Sequence, residues 1–119
     1  MEIKTFNVAG KTFTFVCESK NTRNGFKHEC SLFINNYHSF DGVCYYLNRT
    51  WEKYRYQSVM LRAVANMRDY YADCIKCEFM HENNYTRLTA KRRGELNAVI
   101  DNHAGIKMCD DLRELILNA

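Results

Sequence analysis

Apolar and polar positions alternate along the first third of the chain and then switch to a helical repeat. Phe13, Phe15 and Cys17 alternate with Thr12, Thr14 and Val16, the period-two pattern of a pleated strand. Ala9-Gly10 can turn this strand back on one over residues 3–8. Asn24-Gly25 is a stronger turn signal, because both residues tolerate the positive φ of a tight hairpin. The next strand has one face of Phe26, His28, Cys30, Leu32 and Ile34 and another of Lys27, Glu29, Ser31, Phe33 and Asn35. The first face is the one expected to be buried. Asn35-Asn36 and Asp41-Gly42 bracket a further turn region, after which Val43, Tyr45 and Leu47 read as a short fourth strand.

From Thr50 the period lengthens. Thr50 is placed to cap a helix, and Glu52 suits the positive end of the helix dipole. Tyr56, Met60, Ala63, Val64, Met67, Tyr71 and Cys74 recur at helical spacing, predicting one long helix that ends between Cys77 and Asn84. A second helix should begin near Thr89, with Leu96, Val99, Ile100 and His103 on its apolar face and Gly105 as its stop. Met108, Leu112, Leu115 and Ile116 mark a third. Strands first and helices second imply a segregated α+β fold: an antiparallel meander of about four strands packed on a long helix, followed by two shorter helices.

A chain of 119 residues fits one domain spanning 1–119, large enough for a core without obligatory disulfides. Met1-Glu2-Ile3-Lys4 turns polar too soon for a signal peptide, and no later apolar run approaches membrane-spanning length. A cytoplasmic location is therefore expected, and there the six cysteines should be thiols or metal ligands. The net charge of +3 is small but unevenly spread: basic residues dominate from 49 to 93, and acidic ones after Gly94.

Cys74-Ile-Lys-Cys77 with His81 is the strongest chemical signal, since thiolates and an imidazole at short spacing suit zinc. On a straight helix the three share roughly 60° of arc, but Cys74 and His81 are about 10 Å apart in rise. Either the helix breaks near Cys77, or one of them is not a ligand. Cys109 and His103 are distant candidates to complete a structural zinc site, and His28 with Cys30 form another pair. Cys17, Cys30, Cys44 and Cys109 also read as small core residues. A redox Cys-x-x-Cys would need a helix N-terminus, where the dipole favours thiolate, whereas this pair ends a helical pattern.

Arg49 and Arg55, near Trp51, concentrate arginine and aromatic side chains of the kind that anchor interfaces or stack on bases. Arg87, Lys91, Arg92 and Arg93 cluster at the start of the second helix, against its dipole. An acidic protein surface, a phosphate backbone, or carboxylates on the third helix would each offset them. Enzyme signatures such as G-x-S-x-G, H-E-x-x-H, a P-loop or a dinucleotide fingerprint are absent. His28-Glu29-Cys30 does not substitute for the deaminase pattern, which needs a proline this chain lacks.

Residues 48–60, Asn-Arg-Thr-Trp-Glu-x-Tyr-x-Tyr-Gln-Ser-Val-Met, resemble a segment of small proteins from bacterial phages and mobile elements. The likeness runs from the fourth strand through the long helix. A small chain with strands before helices and a zinc also looks like some type II anti-CRISPR proteins, which bind a CRISPR effector nuclease directly. The resemblance implies a noncatalytic inhibitor whose partner is a host protein, such as that nuclease or its guide complex, and it carries over no functional residue. A small basic nucleic-acid-binding protein is the other reading of the same cations.

Overall fold

A computed structural model describes residues 1–46 and 56–119. Its strands are β1 (Glu2–Val8), β2 (Lys11–Thr22), β3 (Gly25–Ile34) and β4 (Tyr37–Tyr46). They form one antiparallel sheet in the order β1-β2-β3-β4. The helices α1 (Gln57–Glu82), α2 (Ala90–Asn102) and α3 (Ala104–Leu117) follow. The segregated α+β meander is thus the observed fold.

Two turns form where the sequence places them. Ala9 and Gly10 have φ of 52° and 74°, and Asn35 and Asn36 have 49° and 71°, the left-handed pairs whose twist matches a hairpin. In the middle hairpin Thr22 pairs with Gly25, so the tip is Arg23-Asn24, one residue earlier than expected. The fourth strand departs further. Asp41-Gly42 is not a turn: both residues lie within β4, which starts at Tyr37. A register shift opposite Leu32 and Phe33 accommodates one extra residue, and the irregularity re-aims the strand without ending it. Val43 and Tyr45 consequently face away from the core, at 38% and 70% exposure.

The inner face of the sheet carries Phe13, Phe15, Cys17, His28, Cys30 and Leu32, all buried. Val59, Met60, Ala63, Val64 and Met67 of α1 pack on it, joined by Cys109, Leu112 and Ile116 of α3. At Gly42 helix and sheet approach closely. A Cβ there would overlap the Val59 carbonyl and lie 2.8 Å from the Ala63 amide nitrogen, so only glycine leaves α1 room to settle.

α1 has 26 residues and spans about 39 Å. Its far half leaves the sheet behind and forms a second, smaller core, in which Ile75 meets Leu96 of α2 and Ile106 of α3. Thr89 caps α2, accepting from the Arg92 amide at 3.3 Å. Gly105 does not stop α2. His103 ends α2 and begins α3, its Nδ1 accepting from the Gly105 amide at 3.0 Å. An imidazole acceptor at a helix start satisfies one of the otherwise orphan amides. α1 begins at Gln57 after Tyr56. Thr50, Trp51, Glu52 and Leu47 lie outside the described residues.

Candidate functional site

The corner between α1 and α2 brings the second basic cluster together. Asn83 ends α1, its side-chain amide donating to the Phe79 carbonyl at 2.8 Å. Asn84 then takes a φ of 54°, and the Tyr85 amide donates back to the Met80 carbonyl at 2.9 Å. This C-terminal turn aims Tyr85 at Phe79, with ring centroids 5.7 Å apart. Above Tyr85 sits the Arg92 guanidinium, 3.9 Å from the ring centroid. Its Nη1 also donates to the Arg87 carbonyl at 3.2 Å. Arg92 is therefore a strut of the corner, stacked on an aromatic face as a planar guanidinium allows.

Arg87, Lys91 and Arg93 surround that strut and are exposed. The first turn of α2 contains no acidic residue. Among the described residues, no carboxylate lies within ion-pair distance of Arg87, Lys91, Arg92 or Arg93. On α3, Glu114 pairs with Arg113 at 3.6 Å, and Asp110 accepts from Arg68 of α1 at 3.0 Å, which raises the Arg68 pKa above its usual value. Internal pairing with the third helix does not neutralise this cluster. Arg49 and Arg55, the other basic candidates, lie outside the described residues.

Cys74, Cys77 and His81 all stand exposed on α1. The helix continues unbroken past them to Glu82, so the rise of about 10 Å between Cys74 and His81 persists. An ion held by Cys74 is out of reach of His81. Cys109 is fully buried, and its thiol is pushed up to about 11 by burial. That makes it a neutral core group at ordinary pH. Cys17 faces Cys30 across the strand pair, and Cys30 donates to the Val59 carbonyl at 3.6 Å. Its hydrogen bond with Cys17 and its burial both hold the Cys30 thiol well above the usual range. Among the described residues, no group of three or more His, Cys, Asp or Glu is assembled for a metal ion. Cys74 and Cys77 stand exposed one turn apart on α1, and neither His81 nor the buried Cys109 completes a single set of ligands with them.

One polar cluster escaped the reading of the sequence. His28 is fully buried, with Nδ1 2.6 Å from the Ser19 hydroxyl. Ser19 in turn donates to the Tyr56 hydroxyl at 3.1 Å. The His28 ring lies 5.2 Å from Tyr46 and 5.6 Å from Tyr56, centroid to centroid. Tyr46 closes β4 and Tyr56 precedes α1, so both flanks of residues 47–55 rest on one histidine. The available signal was registration: Ser19 continues the inner-face period of β2 and falls opposite His28.

No family model, no curated protein and no solved structure matches this chain.

Proposed function

We propose that this chain is a noncatalytic interaction protein of a phage or mobile element, which occupies a host protein through the corner between α1 and α2. The observation that supports it is the group of exposed Arg87, Lys91 and Arg93 at the Arg92–Tyr85 stack, with no carboxylate among the described residues within ion-pair distance. Cations at a helix N-terminus each cost about 0.3–1 kcal/mol. Arg92 is offset by its stack on Tyr85, whereas an anionic partner surface would offset Arg87, Lys91 and Arg93. The resemblance of residues 48–60 to phage and mobile-element proteins supports that origin, and the likeness of a small chain with strands before helices to type II anti-CRISPR proteins supports a CRISPR effector nuclease, or its guide complex, as the partner.

Binding of a purified effector with its guide, followed by DNA cleavage in the presence of the chain, tests this directly. The wild-type chain should bind and inhibit. Arg87→Glu/Lys91→Glu/Arg93→Glu should bind at least about tenfold more weakly, the equivalent of some 1.4 kcal/mol, while its melting temperature stays near that of the wild type. Arg92 is left in place because it holds the corner together. Absence of both binding and inhibition with the wild-type chain sinks the effector reading.

Nucleic acid is the other partner that the same cations fit, and salt separates the two. Duplex binding should weaken in proportion to the phosphates neutralised, with a slope near −0.9 for each. A mobility shift whose salt slope falls by about 2 to 3 in the triple variant would move the assignment to nucleic acid.

A further inference from the structure

α1 outruns the sheet it packs on, and the overhang carries two thiols. Val59 and Ala63 meet the backbone of β4 at Gly42. Tyr70 lies at the sheet margin, its ring centroid 5.8 Å from that of Phe40, and is 57% exposed. Val59, Ala63, Tyr70, Cys74, Cys77 and His81 all fall within roughly 60° of one another around the helix. The flank covered by β4 near Gly42 therefore continues, beyond Tyr70, as an exposed stripe of Cys74, Cys77 and His81. From Tyr70 to His81 the spacing is four, three and four residues, which is the spacing of a seam between two paired helices.

Cys74 and Cys77, one turn apart, supply half of the tetrahedral shell that zinc requires. Among the described residues no third donor joins them. All six cysteines and four histidines are among the described residues, and no three donors gather there. Cys17, Cys30, Cys109 and His28 are enclosed in the core. A second copy, related by a two-fold axis, presents the same pair of thiols from the opposite side. The seam is symmetric about the midpoint of Cys74 and Cys77, so Tyr70 of one copy comes level with His81 of the other.

We propose that Cys74 and Cys77 of two copies of this chain hold one zinc ion between antiparallel α1 overhangs. Four thiols give up their protons to solvent as the four zinc–sulfur bonds form, leaving a four-thiolate site with two net negative charges. His81 flanks the ion without ligating it. The site is independent of the basic corner and of whatever that corner binds.

Reduced protein stripped with EDTA and titrated with zinc chloride tests the assignment by sedimentation. The mass should double as zinc reaches about half an equivalent per chain, with about two protons released per chain in weak buffer. EDTA should return the single-chain mass. Cys74→Ser/Cys77→Ser should stay single-chain at every zinc concentration while keeping its circular dichroism spectrum, and His81→Ala should dimerise as the wild type does. No zinc uptake, one zinc per chain without a change of mass, a dimer that persists in EDTA, or loss of the dimer in His81→Ala each overturns the proposal.

Discussion

Gly42→Val should lose about 3 kcal/mol of stability and Gly42→Ala somewhat less, read as a lowered denaturation midpoint in urea. The first side-chain atom alone would overlap the Val59 carbonyl and press on the Ala63 amide. Both are helix backbone, so no rotamer change relieves the contact. Either α1 lifts from the sheet, loosening Met60 and Ala63 against Leu32, or β4 bows away from β3. For a small domain with a total stability of roughly 5–15 kcal/mol, this is a large fraction of the margin. Gly94→Ala is the matched control. Gly94 lies within α2, and a Cβ there meets nothing within 4 Å, so alanine should stabilise the helix by about 0.5–1 kcal/mol. Equal losses at both positions would remove the close approach as the cause.

Phe15→Ala should cost about 4 kcal/mol. Phe15 is completely buried, and its ring meets the edge of Phe6 with centroids 5.9 Å apart. Its backbone neighbour across the β2–β3 pairing is Leu32, which is also fully buried. Removing the ring therefore opens a cavity at the centre of the inner face, where rigid neighbours on both sides prevent collapse. Phe33, the next residue along β3, points to the other face of the sheet and stacks near His38 at 5.3 Å. Phe33→Ala should stay within about 1 kcal/mol of wild type. Thermal or urea unfolding of the pair measures the difference between the two faces. Comparable losses would mean that the outer face is covered too.

These contrasts mark where reading along the chain succeeded. Alternation of Phe13, Phe15 and Cys17 against threonine and valine depends only on adjacent residues, and so do the Ala9-Gly10 and Asn35-Asn36 turns. Both were legible. Asp41-Gly42 has the composition of a turn but lies inside β4, because its glycine answers to helix residues Val59 and Ala63, far along the chain. Gly105 reads as a helix stop for the same local reason. The His103 side chain, capping the next helix, makes it part of a first turn instead.

The candidate sites divide in the same way. That four basic residues cluster near Thr89 is visible in the order of residues. That Arg92 is spent on Tyr85, while Asp110 is taken by Arg68, follows from how α1, α2 and α3 dock. Likewise the Cys-x-x-Cys spacing announces a metal pair, but which cysteines remain accessible depends on what the sheet covers.

Fold class, strand alternation and the sequence of elements were therefore written in short-range patterns, since hydrophobic period and turn conformation are set within a few residues. The contact of Tyr56 with the His28–Ser19 pair, the role of Gly42, and the exposure of Cys74 and Cys77 arose only on docking. Each depends on groups distant in sequence, whose juxtaposition is created by packing α1 across, and then beyond, the sheet.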